Sequence, residues 1–264
     1  MFTFQQKPAN TRAGPAGIVP LRTLLPPVRP KALLGLAIPL ACAALFVRLG
    51  LWQVARHDER AAYNASVAAR LAASPTPFTE LPADSGAVRG RRVTLTGRFR
   101  YDIEQVLAAR SNGGAPGVHL VTPLERVGSD TLVIVTRGWV FSADAAGVNR
   151  ALWREGDTVT LSGYASPLAV DGPPPPTDSL RPLRAINQRA LAARLGRPVA
   201  STQVVMTSDS AGPADSVPRR LGVPVLSVGS HRSYAIQWFS FALIAVVGGV
   251  VLFRRGIVAD AISS

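Results

Sequence analysis

Two long apolar runs bracket a middle section in which apolar and polar residues alternate. Residues 234–253 contain no charged residue, and crossing a bilayer core of roughly 30 Å takes about 20 apolar residues at about 1.5 Å each. That run predicts a transmembrane helix at 233–253. An earlier run, 32–47, is interrupted by Arg48 and continues through Leu49-Gly-Leu-Trp-Gln53, which predicts a first transmembrane helix at 32–53. A cleaved signal sequence is the competing reading of this run. Against it, the apolar length exceeds an h-region of about 7 to 15 residues, and bulky Trp52 follows rather than a small-residue cleavage site. Pro39 is expected to bend this helix.

The middle section changes period twice. Residues 53–73 are dense in Ala, Arg and Leu without Gly or Pro, which extends the first helix into water until Ser74-Pro-Thr-Pro77 stops it. From 89 to 100 the period becomes two, with Val93, Leu95, Gly97 and Phe99 on one face and Arg92, Thr94, Thr96 and Arg98 on the other. Further strands are expected at 105–109, 118–124, 131–141, 157–164 and 203–207, with turns at Asn112-Gly-Gly and Gly128-Ser-Asp130. The Pro-rich run at 171–177 reads as an extended loop, and 208–216 as another. Residues 187–196 read as a short helix with Asn187 as its cap and Gly196 as its stop, and 220–228 run extended into the second span. The fold class is membrane α+β: two transmembrane helices flanking a mainly antiparallel, β-rich domain.

Charge orients this arrangement. Lys7, Arg12, Arg22, Arg29 and Lys31 precede the first span without any acidic residue, and Arg254 and Arg255 follow the second. By the excess of basic residues on the cytoplasmic side, 1–31 is a basic, disordered cytoplasmic tail, 54–232 is the extracytoplasmic domain and 254–264 is a second cytoplasmic tail. The formal net charge of +13 raises nucleic acid as a partner, but the arginines are scattered and aromatic residues are too sparse for a stacking platform. A compositional bias toward Arg, Ala, Gly and Pro accounts for the charge. Cys42 is the single cysteine, which excludes an intramolecular disulfide, covalent haem attachment and a copper site built on paired thiolates.

Candidate chemistry is confined to few residues. The histidines are His57, His119 and His231; neither a nucleophile elbow nor zinc-ligand spacing nor a phosphate-binding Gly-Lys loop accompanies them, so an enzyme is not expected. Arg48, Trp52 and Arg56 recur every four residues and form one helix stripe. Two guanidinium groups flanking an indole suit an anionic ligand such as haem propionates, while a snorkelling arginine and an interfacial tryptophan are the plainer explanation. His231, Tyr234 and Trp238 share a face of the second helix, where His231 is either a ligand or a boundary residue. Trp238, Ala242, Ala245 and Gly249 form a stripe of mostly small residues suited to packing on the first span through Ala37, Ala41 and Ala44. Arg137-Gly138-Trp139 ends a strand; Gly138 permits a bulge or a close backbone approach, with Trp139 packed beneath it. The triplet is either a core strand end or a docking patch.

Leu49-Gly-Leu-Trp-Gln-Val-Ala-Arg56, Gly117-Val-His-Leu-Val-Thr-Pro-Leu124, Val135-Thr-Arg-Gly-Trp-Val140 and His231-Arg-Ser-Tyr-Ala-Ile-Gln-Trp-Phe239, in this order and placement, resemble the Surfeit-locus family of cytochrome c oxidase assembly proteins. The family histidine matches His231, and family tryptophans match Trp52, Trp139 and Trp238. Ser230 and Arg232 stand where the family usually has Asn and Leu, and Phe141 stands where Pro commonly follows. The resemblance implies a non-enzymatic factor that holds haem a transiently for the catalytic subunit of cytochrome c oxidase. His231 would ligate the haem iron, Trp52, Trp238 and Tyr234 would contact the ring, and Arg48 and Arg56 would hold the propionates. Arg137, Gly138 and Trp139 would meet the catalytic subunit or a haem a synthase. A cofactor-free scaffold that stabilises an oxidase subunit is the alternative. The expected location is the bacterial inner (plasma) membrane, with the mitochondrial inner membrane as the alternative.

Overall fold

The computed structural model of the chain describes residues 30–174, 176, 181–207 and 217–262, with backbone alone at 30–34 and 257–262. The expected N-terminal tail up to residue 29, the loop at 208–216, and Pro175 and Thr177 of the Pro-rich run lie outside the described residues. In chain order the elements are α1 (Pro30–Ala72), β1 (Thr76–Pro77), α2 (Ser85–Val88), β2 (Arg92–Phe99), β3 (Gln105–Asn112), β4 (Ala115–Glu125), β5 (Val133–Phe141), β6 (Thr158–Pro167), α3 (Gln188–Leu195), β7 (Thr202–Met206) and α4 (His231–Ile262). They fall into two units, Met1–Ala55 with Ser230–Ser264, and Arg56–Gly229.

In the first unit, α1 and α4 are both long and apolar enough to cross a membrane. Helix α1 runs unbroken for 43 residues to Ala72, as the Gly- and Pro-free stretch after Gln53 requires. Helix α4 continues past the expected end at Phe253 to Ile262, because Arg254 and Arg255 are good helix formers and no proline follows.

The second unit is built on a seven-stranded sheet in the order β1-β2-β6-β7-β5-β4-β3. It is mixed, which corrects the expectation of a mainly antiparallel domain: β1 pairs with β2 and β5 with β7 in parallel. Neighbouring strands in the sequence favour antiparallel hairpins. β7 instead returns, after the β6 and α3 excursion, to insert between β5 and β6, and in that slot it runs antiparallel to β6 and parallel to β5. An additional pairing of β2 with β4, through Arg98–Glu125 and Phe99–Leu124, closes β2, β6, β7, β5 and β4 into a five-stranded ring.

The period-two face predicted for β2 points into that ring. Val93, Leu95 and Phe99 meet Leu124 from β4, Val133 and Val135 from β5, Leu161 and Ala165 from β6, and Val204 and Met206 from β7. Burying such side chains contributes about 1.5–3 kcal/mol each relative to exposure. On the outer face of the sheet, α3 lays Leu191 against Leu107, Val121, Ile134 and Leu183. The predicted ends of α3 hold: the Asn187 side chain accepts from the Ala190 N–H at 2.8 Å, and Gly196 takes the left-handed conformation. The β3–β4 turn likewise uses positive φ at Gly113 and Gly114.

His119 on β4 is half-buried and stands opposite Leu107 of β3 and Trp139 of β5. Burial, aided by the Arg110 guanidinium, pushes its pKa down from 6.5 to about 4. Between those values the unfolded chain binds a proton that the folded chain refuses, so this part of the stability is present near pH 7 and is lost as the pH falls. With allowance for solvent access, unfolding midpoints in detergent should show about 1–2 kcal/mol of destabilisation from this residue between pH 7 and pH 4. The slope should flatten in His119→Gln.

Candidate functional site

The helix pair of the first unit meets along a seam with a heptad-like spacing. Helix α1 contributes the partly or fully buried Leu36, Pro39, Ala43, Phe46, Gly50 and Gln53, and α4 contributes His231, Ala235, Trp238, Ala242, Ala245 and Gly249. Steps of three and four residues keep each series on one face. Glycine is required at two positions. A Cβ on Gly249 would stand 2.7 Å from Cβ of Pro39, and one on Gly50 would stand 2.6 Å from the Phe239 ring. The small-residue stripe expected on α4 therefore does pack on α1. Its expected counterpart is corrected: Ala37, Ala41 and Ala44 are exposed, and Ala43 and Gly50, seven residues apart, form the contact face instead.

Aromatic packing and one polar contact lie along this seam. Phe46 stacks on Trp238 with centroids 5.7 Å apart and planes at 29°, and Phe241 meets Trp238 edge-on at 5.9 Å. At its far end His231 Nδ1–H donates to Gln53 Oε1 at 2.8 Å. In the neutral tautomer with Nδ1 as donor, the lone pair is on Nε2, which can then bind a metal or accept a hydrogen bond. Gln53 belongs to a motif quoted above, yet its role emerges only here, because it faces a residue 178 positions away in sequence.

The other candidates of this unit do not converge on the seam. Trp52 and Tyr234 are 57% and 48% exposed. Arg48 is exposed, two residues on from seam position Phe46 and hence on the opposite side of α1. Arg56, which falls in the second unit, is exposed and pairs with Glu59 at 2.9 Å. Trp238 is held between two phenylalanines rather than offering a free face.

In the second unit, Arg137 is fully buried, so its side chain presents no docking surface. It is the extra residue of a bulge: Leu120 pairs with Gly138 and Val121 with Thr136, which leaves Arg137 unmatched on β4. Its guanidinium donates to Glu104 at 2.9 Å, to Glu155 at 3.1 Å and to the Trp153 carbonyl, and it lies over the rings of Phe99 and Tyr101. Arg220 extends the network by donating to Glu155 and to the Arg137 carbonyl. Glu104 also accepts from Thr122 Oγ1, and Tyr101 Oη accepts from the Glu155 N–H while donating to Gly156.

Gly138, at φ +154°, serves the close approach anticipated for it. A Cβ there would stand 2.5 Å from the Arg219 carbonyl oxygen, while the Trp139 backbone exchanges two 2.8 Å hydrogen bonds with Arg219. Trp139 is half-buried and covers Gly117. Glu104, Glu155 and Arg220 escaped the sequence reading, since they come from three separate connections with no shared spacing. Among the described residues, no cluster of three or more His, Cys, Asp or Glu side chains forms a metal site.

Comparison with known proteins points one way. The family model described as "SURF1 family" matches residues 40–243. An uncharacterised SURF1-like protein of Mycobacterium tuberculosis is 29% identical over 210 residues, covering 77% of this chain and 76% of its own. A SURF1-like protein of Monosiga brevicollis is 25% identical over 223 residues, covering 79% and 83%. The cytochrome oxidase assembly protein SHY1 of Saccharomyces cerevisiae is 29% identical over 124 residues, covering 46% of this chain and 31% of its own. The matched region takes in both the His231–Gln53 contact and the Arg137 bulge, and this chain belongs to the SURF1 family.

Proposed function

We propose that this chain is a membrane-anchored, non-enzymatic factor in the assembly of cytochrome oxidase. Family membership carries the reading, together with the yeast relative that bears the name of an oxidase assembly protein. The helices suit the anchoring role: α1 and α4 pack small residues on each other, and outward they expose Leu51, Ile236, Leu243 and Ile244, each more than half exposed. Basic flanks at Arg254 and Arg255 favour a hairpin with both ends cytoplasmic, in a bacterial inner membrane or its mitochondrial counterpart.

Within that role, haem a is the cargo, held until the oxidase catalytic subunit receives it, with a haem a synthase as the donor. His231 fits the iron ligand because Gln53 holds the Nδ1–H and so orients the ring with Nε2 open, the arrangement that supporting residues give to metal-bound histidines. Trp52 and Tyr234 have exposed faces for the macrocycle. Among the described residues the Arg48 guanidinium has no partner and is available for a propionate, and Arg56 forms a weak, exposed ion pair with Glu59. Trp238 supports this site from within the seam rather than lining it.

The test is the absorption spectrum of full-length, detergent-purified protein co-expressed with the enzymes of haem a synthesis. Wild type should show haem a, His231→Ala should lose it, and Gln53→Leu should lower haem affinity about 10-fold or more. Folded but colourless wild-type protein would sink the cargo reading and leave a cofactor-free scaffold. Recovery of the oxidase catalytic subunit in a pull-down would then test that scaffold directly.

A further inference from the structure

A cavity of about 610 Å³ lies in the second unit, where the C-terminal part of α1, the turn before β2, the end of β6 and the segment leading toward α4 meet. Its polar wall contains Arg60, Tyr63, Asn64, Arg89 and Tyr164, and no lining residue is acidic. The guanidinium of neither Arg60 nor Arg89 has an ion-pair or hydrogen-bond partner among the described residues. Asn64 Nδ2 is shielded from solvent and has no acceptor either. A protein rarely leaves such a donor unanswered. Ser166 and Ser227 also line the cavity, and an apolar stretch of wall is formed by Val67, 2% exposed, Leu226, half-buried, and Val225, 94% exposed.

We infer that this cavity binds an anionic amphiphile whose phosphate head is held by Arg60, Arg89 and Asn64 and whose apolar body lies along Val67, Val225 and Leu226. Donors on every polar side with no carboxylate select an anion, and two guanidiniums match the spread oxygens of a phosphoester. An apolar wall continuous with them selects an ester of a lipid over the free head. The volume falls within the range of small-ligand sites, about 300–1,000 Å³. The site uses none of the residues assigned to haem, so it stands or falls separately from the cargo reading.

The test is equilibrium binding of fluorescent phosphatidylglycerol to the full chain in detergent, with phosphatidylcholine and glycerol 3-phosphate as competitors. Asn64→Asp keeps the shape but places a negative charge beside both arginines; it should weaken phosphatidylglycerol at least tenfold. Arg60→Gln with Arg89→Gln, both at exposed positions and harmless to the core, should do the same. Arg98→Gln, which makes the same one-unit charge change as Asn64→Asp but outside the cavity, should bind as wild type. Phosphatidylcholine and glycerol 3-phosphate should each compete at least tenfold less well than unlabelled phosphatidylglycerol. Wild-type affinity in either cavity variant, or equal competition by phosphatidylcholine, would overturn the site. Equal competition by glycerol 3-phosphate would overturn the lipid as its source.

Discussion

Arg137→Met will leave the sheet domain unfolded or at least 3 kcal/mol less stable, although methionine fills similar space and suits a buried position. The reason is what stays behind. Glu104 is 1% exposed and Glu155 10% exposed at their side chains; without Arg137, Glu155 keeps its bonds from Arg220, while Glu104 loses the guanidinium that faces it. Breaking a buried pair by removing one partner typically costs about 3–5 kcal/mol, because the other charge stays desolvated. Lysine will not rescue it. One ammonium cannot span Glu104, Glu155 and the Trp153 carbonyl at once, nor lie flat on Phe99 and Tyr101. Near-UV circular dichroism and limited proteolysis of the full chain in detergent will read the loss. A native-like Arg137→Met domain would show that the network is dispensable.

A defect of similar size is expected from Gly97→Val, at the point where the ring closes. Gly97 faces the interior between Leu95 and Phe99. A Cβ there would stand 2.2 Å from Leu124 Cδ2 and 2.5 Å from the Glu125 carbonyl oxygen. Leu124 could turn aside, but the Glu125 carbonyl is backbone in the strand that pairs with Arg98 and Phe99. Valine therefore separates β2 from β4 and opens the ring. Overpacking alone costs typically about 1–3 kcal/mol, and loss of the β2–β4 contacts adds to it. Hydrogen exchange should locate the damage: the Arg100 N–H, bonded to the Pro123 carbonyl at 2.8 Å, will lose protection before amides of the β3–β4 hairpin. Uniform protection in the variant would contradict the closed ring.

Much of the chain's local structure was legible as pattern. Period two along β2 identified its buried face, Asn187 and Gly196 marked both ends of α3, and the small residues of α4 marked the face that packs. Those features depend on residues a few positions apart, where backbone geometry converts spacing directly into a shared face. Gly138 was legible for the same reason, as a residue whose missing Cβ permits a close approach.

The sequence by itself thus determined two long apolar helices, the strands between them, and the motifs that place the chain in its family. Tertiary structure alone decided that β7 enters beside β5 in parallel, that β2 meets β4, that Ala43 rather than Ala37, Ala41 or Ala44 meets α4, and that His231 finds Gln53. It also decided that Arg137 is a core residue. Charge and an adjacent tryptophan also read as a docking surface, and the arrival of the Glu104 and Glu155 carboxylates, 33 and 18 residues away, makes burial of the guanidinium tolerable. Local patterns record which face of an element avoids water; they carry no record of which distant element covers it, because that choice is made by packing and charge balance over the whole fold.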